Sequence, residues 1–164
     1  MKYPDEKLIL ETVGEYSKNR RFLDLTGQDG AYSIIALENG AKTVTINEER
    51  EGKLESLSKD LPVNIMTEDF DSFLGLCEDT NEEYDVIVLH SDRFNEDIDL
   101  QRDHKEIIRR LNNRILADAG ILIFIVRNNS FVLDSYLKPG SDKLTKKMLV
   151  DGEEKRFQCW AFYN

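Results

Sequence analysis

Residues 22–49 read FLDLTGQDGAYSIIALENGAKTVTINEE, and this stretch decides the fold. Arg21-Phe-Leu-Asp-Leu25 is a short apolar run that meets Thr26-Gly-Gln-Asp-Gly30, the pattern of a buried strand ended by a glycine-bearing turn. Ala31 to Glu38 predicts a short helix, stopped by Asn39-Gly40. Thr43-Val-Thr-Ile46 predicts a β-branched second strand, ending in the polar and acidic group Asn47-Glu-Glu49. A helix between two strands carries the chain back to the same end of the sheet, so the strands run parallel.

The unit repeats outward from this stretch. Leu54, Leu57 and Leu61 mark the inner face of a helix, and Val63-Asn-Ile-Met66 predicts a third strand followed by Glu68-Asp69. A short helix through Phe73 and Leu76 leads to Tyr84-Asp-Val-Ile-Val-Leu-His90, whose continuous apolar centre fits a strand covered on both faces. A long helix is expected over roughly Leu100 to Leu116, with Ile107, Ile108, Leu111 and Ile115 on one side. Ala119-Gly120 begins a fifth strand, and another helical stretch is expected near Phe131 to Leu137. Leu144 to Val150 and Phe157 to Tyr163 form a closing pair around the turn signal Asp151-Gly152. On this reading the chain starts almost at its first strand and forms one α/β domain over residues 1–164. Its sheet is seven-stranded and mostly parallel, with helices on both faces and a C-terminal antiparallel hairpin.

Composition agrees with a soluble, cytoplasmic domain: 40% hydrophobic and 33% charged residues, with no apolar run long enough to span a bilayer. The first residues, MKYPDEKLILETV, lack the apolar core and cleavage site of a secretory signal. Cys77 and Cys159 stand alone, outside any metal-ligand or disulfide spacing, and read as buried hydrophobes. The net charge of −10 opposes phosphate backbones, so a nucleic-acid role calls for a local basic patch or a partner that supplies one.

In parallel sheets ligands sit beyond the carboxyl ends of the strands, where the winding direction switches. That places the site near residues 24–30, 47–49, 68–69 and 90–94, where Gly, Asp, Glu and Asn collect. The loop from Asp24 to Gly30 offers a close backbone approach and helix N–H groups, although such loops also make ordinary turns. Glu48 stands where an acid accepts from ribose hydroxyls, and equally where a helix dipole favours an acid. Asp69 reads either as a helix cap or as an acceptor for an adenine amine. Three such groups at successive strand ends favour nucleoside binding.

Residues 22–49 resemble the first two motifs of the class I S-adenosylmethionine-dependent methyltransferases. Asp99-Leu-Gln-Arg-Asp-His104, a helix and ADAGILIFI (117–125) are similar to the guanine-N7 methyltransferase domain that acts on large-subunit ribosomal RNA. The closing LTKKMLVDGEEKRFQCWAFYN, with its Cys159-Trp160 pair, is similar to the end of that domain. The resemblance implies a Rossmann-like methyltransferase fold with S-adenosyl-L-methionine as cofactor and ribosomal RNA, or a ribosome precursor, as partner. It implies that Asp24, Gly27, Asp29 and Gly30 line the methionine side of the cofactor, that Glu48 binds ribose, and that Asp69 binds adenine. It further implies a target-base loop after the fourth strand, where the family's Asp-Pro-Pro and following Phe stand here as His90-Ser-Asp-Arg-Phe94. The expected catalytic residues are Phe94, Asp92 and His90, and Asp99 and Arg102 are expected to contact the substrate.

Three functions remain open on these residues: ribosomal-RNA methyl transfer, a methyltransferase-like domain that serves as a scaffold or binding subunit, or methyl transfer to a small molecule, which needs no basic surface. The altered loop and the acidic charge favour the scaffold, and a separate RNA-binding protein would serve either of the first two. The cations Arg109, Arg110, Arg114, Lys138, Lys143, Lys146 and Lys147 form a phosphate-facing strip or simply solvated faces. His90 lies beside the expected cleft, whereas His104 is expected to hydrogen-bond within the opening turn of its helix.

Overall fold

The computed structural model describes residues 4–25, 27, 29–49, 54, 57, 61–90, 100–126, 142–150 and 153–163. Helix α1 (Pro4–Ser17) comes first, followed by β1 (Arg21–Asp24), α2 (Ala31–Glu38), β2 (Thr43–Asn47) and β3 (Asn64–Met66). Then come α3 (Phe70–Thr80), β4 (Tyr84–His90), α4 (Leu100–Arg110), a π-helical turn (Leu111–Ile115), β5 (Leu116–Val126), β6 (Asp142–Val150) and β7 (Glu153–Tyr163). The strands lie in the order β3-β2-β1-β4-β5-β7-β6. The first five pair in parallel, and β7 runs antiparallel to both β5 and β6.

The α/β class and the parallel sheet agree with the sequence. Strands β1, β4 and β5 divide their side chains between two cores, as the two-residue period requires. Leu23, Leu25, Ile87, Leu89, Leu122 and Phe124 pack with α3, α4 and the π-helical turn through Phe73, Leu74, Ile108 and Leu111. Phe22, Val44, Ile46, Val86, Val88 and Ile123 pack on the opposite face with Ile9 and Val13 of α1 and Ala36 of α2. Leu54 is buried in this second cluster and Leu57 packs against it, while most of the helix expected to carry Leu54, Leu57 and Leu61 lies outside the described residues. Cys77 is buried in the first cluster, and loss of solvation pushes its thiol up to about 12.

Three elements differ from the sequence reading. Helix α1 precedes β1, so the chain does not begin near its first strand. The helix expected to reach Leu116 ends its α-helical part at Arg110 and closes through the π turn. The fifth strand begins at Leu116, ahead of Ala119, because Leu116 already pairs with Tyr84. An irregularity in the register then delays regular pairing until Ile121 meets Val86, and within it Ala119 takes φ 60°. The expected helix near 131–137 and the turn at 151–152 lie outside the described residues.

Candidate functional site

Sheet order fixes where a ligand can sit. From β1 the chain winds outward through β2 and β3, then returns to place β4 on the other side of β1. The winding direction therefore switches between β1 and β4, where the crossing helices leave the carboxyl ends of the strands uncovered. Asp24, Asn47, Met66 and His90 are the last residues of the four strands concerned.

The loop after β1 passes very close to the end of β2. A Cβ on Gly27 would stand 2.5 Å from Ile46 Cγ2, 3.1 Å from Glu48 Cβ and 3.2 Å from the Asn47 carbonyl oxygen. Only a residue without a side chain fits there unstrained. Gly30, the N-cap of α2, has φ 77°, a left-handed conformation that costs any other L-residue about 1–2 kcal/mol. The helix has no side-chain cap at Gly30; instead, the exposed Asp29 accepts the Ala31 N–H through Oδ1 at 3.1 Å.

Asp24 is buried at the end of β1 and accepts from the buried Ser33 hydroxyl at 3.3 Å. Glu48 is also buried, and its N–H extends the β2–β3 ladder by donating to the Met66 carbonyl at 2.9 Å. The neighbouring Asn47 clamps the next loop from both sides. Its Nδ2 donates to the Glu68 carbonyl at 3.1 Å, and its Oδ1 accepts the Glu68 N–H at 3.2 Å. Asp69 is exposed and caps α3, accepting from the Ser72 N–H at 3.0 Å and from the Ser72 hydroxyl. The Ser72 hydroxyl, then its N–H, hold the Asp69 carboxyl below the usual carboxylate range. The cap is present; an adenine contact would have to share these oxygens.

His90 is buried at the tip of β4, with Nδ1 2.9 Å from the Tyr32 hydroxyl on the first turn of α2. Asp92, Phe94 and Asp99 lie outside the described residues, and so does the His104 side chain. Arg102 is in the first turn of α4, but its side chain also lies outside them.

Asp24, Gly27, Gly30, Glu48 and His90 therefore belong to one edge of the sheet around the β1–β4 switch. Sequence reasoning missed Tyr32 and Ser33, and it put Asn47 within the expected 47–49 stretch without giving it a role. The first two follow the glycine loop immediately, in the helical turn that faces the strand ends, and this adjacency was their only signal.

Arg109 and Arg110 at the end of α4 are engaged with acids. Arg109 pairs with Glu106 at 2.6 Å, while Arg110 reaches Glu78 at 2.7 Å and Asp71 at 3.3 Å on α3. Among the described residues, no group of three or more His, Cys, Asp or Glu could hold a metal ion. Nor is any described helix long and apolar enough to cross a membrane.

No family model matches the chain. Solved structures do. A candidate SAM-dependent methyltransferase from Streptococcus mutans superposes with a TM-score of 0.77 at 14% identity, over 99% of this chain and 49% of the other. SMU.776, a candidate methyltransferase solved in complex with SAH, gives 0.79 at 14% identity, over 99% and 50%. The N-methyltransferase NodS from Bradyrhizobium japonicum WM9 gives 0.73 at 13% identity, over 99% and 98%. The fold is the one these solved structures share. The chain spans about half the length of the first two and nearly the whole of NodS.

Proposed function

We propose that this chain is an S-adenosyl-L-methionine-dependent methyltransferase acting on ribosomal RNA at guanine N7, in the cytoplasm. The observation that carries the reading is the buried carboxylate of Glu48 beside a glycine loop packed on the end of β2, at the switch point of a methyltransferase fold. The SAH complex of SMU.776 supports the cofactor assignment, since SAH is what remains of the cofactor after methyl transfer. The reading takes the sheet as the full seven-stranded one of the class, closed by the β6–β7 hairpin.

In this reading the backbone around Gly27 and Gly30, with Asp24 and Asp29, holds the methionine side of the cofactor. Glu48 accepts from the ribose hydroxyls. The loop that Asn47 clamps, including Asp69, meets the adenine. The bound cofactor supplies an electrophilic methyl sulfonium. Guanine N7 already carries a nucleophilic lone pair, so the protein has mainly to align the base. Phe94 stacks on it, while His90, Asp92, Asp99 and Arg102 address its polar edge.

Titration calorimetry with S-adenosylmethionine tests the assignment. The wild type is expected to bind, and Glu48→Gln to bind roughly 10- to 150-fold more weakly, the worth of a hydrogen bond to a charged group. Absence of wild-type binding overturns the proposal.

The second reading, a scaffold subunit, draws support from Arg109 and Arg110, whose charges are matched by Glu106, Glu78 and Asp71 and are not massed toward a phosphate backbone. Cofactor binding without methyl transfer to ribosomal RNA, even with an RNA-binding partner protein supplied, decides for the scaffold.

A further inference from the structure

We infer that Tyr32 is a positioning residue for His90, holding its imidazole in the Nε2–H tautomer at the head of the substrate loop. The functional consequence rests on the methyltransferase reading above; the tautomer itself does not.

Tyr32 and His90 are 58 residues apart, and their hydrogen bond of 2.9 Å crosses the β1–β4 switch. One end stands on the first turn of α2, immediately after the glycine loop; the other is the last residue of β4, immediately before the loop that would receive the target base. The bond thus ties the cofactor side of the crevice to the substrate side. The rings lie 6.0 Å apart between centroids, with planes inclined at 49°, so contact is made through the hydroxyl rather than by stacking. His90 is 4% exposed, and Tyr32 packs against the core beneath α2.

An imidazole nitrogen lone pair is a stronger acceptor than a phenol oxygen, and a phenol is the better donor. Tyr32 therefore donates to Nδ1, which leaves the ring proton on Nε2. In this chain the strand ends in a ring whose second nitrogen, Nε2, then carries the proton. His90 is the residue that would meet substrate; Tyr32 acts through it.

Nitrogen-15 NMR of the histidine rings tests this directly, because the chain has only two histidines and His104→Gln assigns the signals. Wild-type His90 is expected to show a protonated Nε2 and an unprotonated, hydrogen-bonded Nδ1. Tyr32→Phe is expected to move the Nδ1 signal toward that of a mixed tautomer. A wild-type ring protonated on Nδ1, or ring signals unchanged in Tyr32→Phe, overturns the inference. The wild-type spectrum decides even if the variant fails to fold.

In single-turnover methyl transfer, Tyr32→Phe is expected to lower the rate roughly 2- to 10-fold, the worth of one hydrogen bond, with cofactor affinity unchanged. An unchanged rate in a protein that methylates RNA removes the positioning role. A protein that binds no S-adenosylmethionine fails the earlier proposal instead, and the ring spectrum still reads the tautomer.

Discussion

Replacing Gly27 with alanine adds one methyl group at the tightest point of the cofactor-side loop. That methyl would lie 2.5 Å from Ile46 Cγ2, well inside van der Waals contact, with Glu48 Cβ at 3.1 Å and the Asn47 carbonyl at 3.2 Å behind it. Ile46 is fully buried, so its side chain has little room to yield. Overpacking of this kind costs about 1–3 kcal/mol, and in a domain of this size each kcal/mol lowers the melting temperature by about 2–4 °C. The expected loss is therefore about 2–12 °C by differential scanning fluorimetry. Relief by lifting the loop from β2 would also move backbone and Glu48 together, so S-adenosylmethionine affinity should fall with stability. Gly75→Ala is the matched control: its Cβ meets nothing within 4 Å on helix α3, and the substitution should stabilise by about 0.5–1 kcal/mol without touching cofactor binding. Equal melting temperatures for Gly27→Ala and wild type would refute the packing argument. Destabilisation with unchanged affinity would separate the loop from the cofactor site.

Two further expectations concern groups away from the site. Arg21 holds the Asp85 carboxyl below the usual range, first through side-chain hydrogen bonds at 2.9 and 3.0 Å and also through its backbone N–H at 2.8 Å. A depressed carboxyl stabilises the fold above its unfolded pKa of about 4, and that stability is lost as pH falls through the folded value. Arg21→Ala should therefore shrink the drop in urea midpoint on going from about pH 7 to about pH 2, and an unchanged drop would count against the pair. Cys77, buried with its thiol pushed up to about 12, should resist iodoacetamide at pH near neutrality and react once the chain is unfolded. Peptide mass spectrometry checks this; rapid native labelling of Cys77 would contradict its burial.

What the sequence determined by itself was local. The bounds of Ala31–Glu38 and Tyr84–His90 followed from residue types alone, because turn residues bracket both and their cores are continuous apolar runs. The alternation of strands and helices then left few topologies open. Helix α1 escaped notice because its signal is weak: among the described side chains only Ile9 and Val13 are fully buried apolar residues, and Gly14 interrupts the run. That glycine makes sense only in three dimensions, where a Cβ would stand 2.9 Å from the Asn39 side chain at the end of α2. The early start of β5 likewise depends on Tyr84 as a partner.

At the site, the sequence placed acids and glycines at successive strand ends but not what they touch. Glu48 and Asp24 owe their burial to neighbouring strands, and Asn47 its clamp to a loop 21 residues further on. Arg109 and Arg110 of α4 could be counted in the sequence, but Arg110's partners, 32 and 39 residues away, could not. Strand and helix periods are properties of neighbouring residues, whereas a hydrogen bond such as Tyr32 to His90 exists only once the sheet brings distant segments within 3 Å.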